Sequence, residues 1–255
     1  MGATKNLFVQ VGLTDGTEAA IGHLGRTMPN PNPNPLFPNA TMPRDPGAQL
    51  SVTGCLRYVT DTGNDDVNLC ADAINNGTWG YNNLQWYGAT YYHKFNDHWH
   101  IASEAYILHQ DNVPNALNPV AQAAIANGGT PFSPQYAPFN APGLATCADA
   151  AQISCRATVI GLVSYLNYSP DPLNNFSFRP EYYDDQQGQR TGVKTRYVDF
   201  SLGWQHWLSP QIEIRPEIGV YMSLDAKAFN GYGTAGIAPT RDTTLIAASD
   251  IILHF

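Results

Sequence analysis

Three features of this 255-residue sequence predict an all-β chain, a transmembrane antiparallel up-and-down β-barrel with about eight spanning strands. Apolar and polar residues alternate with a period of two over segments of about 9–13 residues, long enough for a tilted strand to cross a bilayer. The connections between those segments alternate between short and long, as tight turns at one rim and long loops at the other would. Aromatic residues gather at the strand ends beside the short connections, where an interfacial girdle belongs (Tyr91, Tyr92, Phe95, Trp99, Tyr165, Tyr168, Phe176, Trp204 and Trp207).

The strands are expected near 6–14, 82–94, 98–110, 156–168, 175–185, 195–207, 211–223 and 243–255. The short connections are "FND" (95–97), "SPDPLN" (169–174) and "SPQ" (208–210). The long ones, 15–81, 111–155, 186–194 and 224–242, read as extracellular loops. A further alternating segment, "QLSVTGCLRYVT" (49–60), would break that alternation if it spanned alone, so it is placed inside the first long loop. The Ala-rich "NPVAQAAIANGG" fits one short helix in the second. Residues 1–255 read as a single domain. The N-terminus lacks the apolar core of a secretory signal, and the chain is expected to be the C-terminal part of a larger barrel, a complete eight-stranded one being the alternative.

The period of two also assigns faces, except in 82–94 and 156–168, which are apolar or aromatic on both sides. In 211–223 the outward set is Ile212, Ile214, Pro216, Ile218, Val220 and Met222, against inward Glu213, Arg215 and Glu217. "FRPE" and "IRPE" place Pro180 and Pro216 at the same step of two upward strands, each between an inward Arg and an inward Glu. Proline removes a ladder donor where lipid offers no replacement, so a bulge is expected at each.

Charge sets further limits. Asp, Glu, Lys and Arg make up 13 % of the chain and the formal net charge is −8, which leaves no basic stripe for nucleic acid. No apolar run approaches the roughly 18 residues of a transmembrane helix. The four cysteines pair by proximity as Cys55–Cys70 and Cys147–Cys155, two loop-closing disulfides of an oxidising compartment, with four free thiols as the alternative.

The candidate site is the charged inward row. Glu104, Arg179, Glu181, Arg215, Glu217 and Asp250 lie about four to seven residues from the short-turn ends of their strands, and Asp199 and Glu213 face the same way. Two readings stand. The row lines a pore and sets up a transverse field that orients dipolar solutes, or it pairs internally and plugs a narrow barrel. Acids are in excess, which favours cations or neutral solutes.

Other motifs carry less. "GYGTAG" (231–236) satisfies GxGxxG but no helix follows it, so it reads as a loop. "HWH" puts His98 and His100 beside a turn with no third metal ligand nearby. "DTGNDDVNLCAD" is acidic enough for Ca²⁺ in an extracellular loop, yet misses the EF-hand spacing. No cofactor or metal site is expected. For an outer-membrane hydrolase, Ser103 and Glu104 point to opposite faces, and neither His109 nor His206 has a Ser two residues away. Arg residues between the inward carboxylates disfavour the protonated acid that glycoside hydrolysis needs. The large loops leave a structural or adhesive barrel as another class.

The stretches "WYGATYYHKFNDHWHIASEAYILHQDNVPN", "FSFRPEYYDDQQGQRTG", "TRYVDFSLGWQHWLSPQIEIRPEIGVYMSLDAKAFN" and "DIILHF" resemble the OmpL-like putative outer-membrane β-barrel porins of Gram-negative bacteria. The resemblance implies an outer-membrane location, contact with outer-membrane lipid and a porin-like role toward small hydrophilic solutes. It brings no catalytic residues. The terminal "LIAASDIILHF", ending on Phe255, also resembles the signal read by the barrel-assembly machinery.

Overall fold

Each alternating segment pairs with the next one along the chain. The computed structural model describes residues 5–14, 51–74, 84–126, 144–231 and 238–255. Within them, ten strands form one antiparallel sheet in chain order. They are β1 (Leu7–Thr14), β2 (Ser51–Val59), β3 (Asp65–Ile74), β4 (Gln85–Lys94), β5 (Trp99–Pro114), β6 (Ser154–Asp171), β7 (Asn174–Asp185), β8 (Thr195–Ser209), β9 (Ile212–Ser223) and β10 (Thr243–Leu253). Among the described residues no pairing joins β10 to β1, so the sheet is open. The one expected helix forms as α1 (Pro119–Ala126), capped by Asn118, whose Oδ1 accepts the Val120 and Ala121 N–H groups.

The sheet has two strands more than the eight expected. Segment 51–59 is not a loop excursion: β2 pairs with β1 on one side and β3 on the other, and β3 pairs with β4. The expectation failed because 49–60 was weighed alone. Its partner is "DDVNLCADAI", and two added strands keep the short–long alternation where one would break it. The turn between them is tight: Gly63 at φ 72° donates its N–H to the Thr60 carbonyl, and Thr60 N–H reaches the Asp65 carbonyl. "DTGNDDVNLCAD" is therefore turn plus strand, and its acids are committed across the sheet, Asp66 to Arg57 and Asp65 to Tyr91 and His93. "GYGTAG" lies almost wholly outside the described residues.

Both disulfides form as paired. Cys55 and Cys70 face each other directly in the β2–β3 register, so this bond ties two strands and does not close a loop. Cys147–Cys155 sits at the base of the β5–β6 connection beside Val113, Ala145 and Ala157, a small buried apolar cluster.

The register follows one rule. A single row of paired residues runs Phe8, Arg57, Asn68, Thr90, Glu104, Val163, Glu181, Asp199, Tyr221, Thr244. Phe8 is the second residue of β1, Asn68 the fourth of β3, Glu104 the sixth of β5, Glu181 the eighth of β7 and Tyr221 the tenth of β9. The stagger is one residue per strand. With about 3.3 Å per residue and about 4.8 Å between strands, that tilts the strands by about 35°, the range of outer-membrane barrels.

Face assignment holds on both sides. Val11, Leu202, Leu245 and Ile251 are among the most exposed apolar side chains, and all lie on the face opposite the charged row. Near the short turns that face carries Tyr58, Tyr91, Trp99, Tyr168, Phe176 and Trp204. Trp99 stacks on Tyr168, and the Trp204 indole donates to Asn174. Tyr92, Tyr165 and Trp207, expected in the same girdle, fall on the polar face by register; Trp207 lies against His254 there.

Neither proline makes a bulge. The β7–β8 and β9–β10 registers run unbroken through Pro180 and Pro216. On the other side of each proline, toward β6 and toward β8, two consecutive pairs are missing while the register is kept. Removing a donor opens the ladder without inserting a residue. The shifts occur instead beside the short turns, between Tyr168 and Asp171 and between Trp207 and Ser209.

Candidate functional site

The polar face concentrates its charge in two clusters. In the first, Arg179 on β7 lies 3.2 Å from Glu217, 3.5 Å from Asp199 and 4.0 Å from Glu181. Its Nη2 also donates to the Tyr221 hydroxyl at 2.8 Å and to Ser201 Oγ at 3.0 Å. A side chain of β7 reaches one of β9, across an intervening strand, because β8 offers only Ser201 and Gly203 in between. A Cβ on Gly203 would lie 2.6 Å from Ser177 Oγ, so a larger residue there would have to turn that hydroxyl aside.

In the second cluster, Arg215 on β9 donates from Nε to Asp250 Oδ1 at 2.9 Å and lies 3.7 Å from Glu213. Glu213 is buried, accepts from Gln205 at 2.9 Å and faces His254 at 3.4 Å. A cavity of about 450 Å³ opens between the clusters, lined in part by Asn167, Ser177, Arg215, Glu217 and Asp250.

Of the eight residues read from the sequence, seven enter these clusters. Among the described residues no ion pair reaches Glu104, which shares its row with Glu181 and Asp199. Counted from the short-turn end, Glu104, Arg179 and Glu217 are each the sixth residue of their strands, and Arg215 is the fourth. Glu181 is the eighth and Glu213 the second, so the charges occupy a band and not a single level.

The same face also holds Arg57, Asp66, Asn68 and Thr90, which the sequence did not single out, beside the first disulfide. Arg57 makes a bidentate pair with Asp66, Asn68 donates to Thr90, and the Cys55–Cys70 bond lies opposite Gln10 and Gly88. The Tyr106 ring lies over Gly161, where a Cβ would come within 2.2 Å of it. Period-two counting would have found Arg57 and Asp66 had 65–74 been recognised as a strand. At the long-loop end the 186–194 connection tucks back: Gln189 is buried and donates to Gln110 at 2.6 Å, and the Gln187 side chain accepts the Thr158 N–H. His98 sits in the turn, with His100 on the polar face near Tyr92.

An apolar outer face, an aromatic rim and a charged inner face coincide with a family match. Residues 2–255 match the family described as "Putative beta-barrel porin-2, OmpL-like". The chain belongs to the OmpL-like β-barrel porin family. It is a protein of the bacterial outer membrane. Among solved structures, this OmpL-like chain is similar to the outer membrane channel DcaP of Acinetobacter baumannii at 10 % identity and a TM-score of 0.50, covering 99 % of this chain. It spans 60 % of DcaP's length, and at that identity the likeness shows the fold alone. The NanC porin aligns at 11 % identity and a TM-score of 0.47, over 82 % of this chain and 81 % of that one. No curated protein matches the chain.

Proposed function

We propose that this OmpL-like porin passes small hydrophilic solutes across the outer membrane by passive diffusion, along the face that carries Glu104, Arg179, Glu181, Asp199, Glu213, Arg215, Glu217 and Asp250. The observation that carries the reading is the charged face, with carboxylates in excess, behind an apolar outer face. Charged groups at that density in a water-filled lumen act as a selectivity band. The sign of the excess gives a weak preference for cations and neutral solutes. Catalysis forms no part of the reading.

A second reading is a plugged structural barrel. Buried Asp199, Ser201 and Glu213, and the loop tucked in at Gln189, favour it. Single-channel recording of the folded full-length protein in planar bilayers separates the two. Steps of stable conductance support diffusion; their absence from correctly folded protein sinks it in favour of the plug. Product release from an ester or glycoside panel would overturn the non-catalytic assignment.

We also propose that the C-terminal strand docks the barrel-assembly machinery. The terminal backbone is held by the His254 N–H on the Gln211 carbonyl, and Phe255 is highly exposed. Deleting Phe255 is expected to slow assembly into outer-membrane vesicles; unchanged assembly kinetics would count against docking.

A further inference from the structure

Beside the Arg179 cluster, toward the long-loop end, the polar face holds a further open cavity of about 300 Å³. Its lining includes Glu181, Asp199, Tyr183, Tyr197, Tyr221 and Phe229. Three observations there point to one kind of ligand.

The first is unbalanced charge. Glu181 and Asp199 stand directly opposite each other in the β7–β8 ladder, an arrangement that costs stability when both are ionised. Arg179 is the guanidinium beside them, and it is shared with Glu217. Three carboxylates stand against Arg179, and a second guanidinium, Arg190, bonds Tyr183 at the wall, so carboxylates outnumber cations by one. The second is an unused acceptor. The Asp199 side chain is 4 % exposed, one oxygen faces Arg179, and the other, Oδ1, has no hydrogen-bond partner. A buried carboxylate oxygen in that state costs free energy until a donor or a positive charge reaches it. The third is the wall. Tyr183 meets Tyr197 edge-to-face, and Tyr197 meets Phe229 in the same way. Phe229 comes from the β9–β10 connection and is fixed there by backbone bonds to Arg241 in both directions. The Tyr197 hydroxyl is anchored on Thr191.

We infer that this cavity is a binding subsite for an organic cation, an ammonium group set against Glu181 and Asp199 and enclosed by Tyr183, Tyr197 and Phe229. Aromatic rings and carboxylates together suit a cation that carries carbon substituents. A bare metal ion would leave the aromatic wall unused, and a neutral sugar would leave the charge unbalanced. The inference deepens the diffusion reading and rests on it for the route by which the cation arrives.

Choline tests it, with glucose as the neutral control, on folded full-length protein. Binding is measured by calorimetry in detergent, and current through single channels is measured in potassium chloride with choline added. Saturable choline binding and concentration-dependent block of the current are expected. Phe229→Ala is expected to weaken binding about fivefold, the scale of one partly exposed cation–π contact, and Asp199→Asn to weaken it further. Phe229 lies in a connection outside the strands, so that variant keeps the test decisive if Asp199→Asn fails to fold. A conducting channel that binds no choline overturns the inference and leaves diffusion standing. A protein that binds choline but never conducts upholds the subsite and sinks the diffusion reading. Equal binding of glucose and choline, or full affinity in Phe229→Ala, overturns the assignment.

Discussion

Replacing Arg179 with Gln keeps hydrogen-bonding capacity and removes the charge on which one cluster depends. The structure fixes what is lost. Three carboxylates lie 3.2–4.0 Å from the guanidinium, and Asp199 among them is nearly inaccessible to solvent. Each such contact is worth about 1 kcal/mol in bulk water and about 4–5 kcal/mol at an effective dielectric near 20. Leaving a buried charge without its partner typically costs about 3–5 kcal/mol. Glu181 and Glu217 each stay about one-third exposed, so about 2–4 kcal/mol of destabilisation is expected. Selectivity shifts as well. The local charge becomes one unit more negative. One extra charge at about 7 Å, at a dielectric of about 40, shifts a cation and an anion by roughly 1 kcal/mol each in opposite directions, about a thirtyfold rise in cation-over-anion permeability at most. Denaturant unfolding of the purified barrel reads the first effect and the reversal potential in a salt gradient reads the second. Arg215→Gln is the internal comparison: Arg215 and Asp250 are both about half exposed, so a smaller stability change is expected there with a shift of the same sign in selectivity. An Arg179→Gln barrel with wild-type unfolding and an unchanged reversal potential would refute both the buried network and its place on the conduction path.

Two further expectations concern the same face and its rim. Gly161→Ala would put a methyl group 2.2 Å from the Tyr106 ring, which must lift toward the lumen. A loss of about 1–3 kcal/mol and a lower single-channel conductance are expected, and wild-type values for both would show that the ring does not border the path. At the long-loop rim, Asp225 accepts from the Arg196 guanidinium and backbone, which hold its carboxyl down at about 2. A carboxyl depressed on folding stabilises above its unfolded value near 4 and loses that contribution as pH falls toward 2. Hydrogen exchange in 224–231 should therefore rise between about pH 4 and 2, and Asp225→Asn should abolish that dependence; a rise already complete at pH 5 would point to another group.

How much of this was legible beforehand differs by element. The face of each charged residue was, because the side-chain period is two and one side must meet lipid. Ile212 through Met222 needed no coordinates for that. The β2–β3 hairpin was not. "DDVNLCADAI" alternates as well as its neighbours do, but its leading acids and its Cys drew it toward a loop reading, and its pairing with 51–59 is a non-local fact. The prolines misled for a related reason. Their missing donor was correctly located, but whether a ladder opens or bulges depends on the strand next door. The clustering around Arg179 depended on small residues at Ser201 and Gly203, which carry no sign of function when read alone. The expected depth was read along each strand, and one residue of stagger per strand turns that into a band.

That stagger has a consequence for anything that moves through the lumen. A hydrogen-bonded row is not a ring but a ramp. Followed across ten strands it climbs about nine residues, roughly 25–30 Å, close to the thickness of the hydrocarbon core. The row that starts at Phe8 and Arg57 beside the short turns therefore arrives at Asp199 and Tyr221 near the long loops, by way of Asn68, Thr90, Glu104 and Glu181. Polar groups recur up that ramp on most strands, with Val163 of β6 as an apolar gap between Glu104 and Glu181.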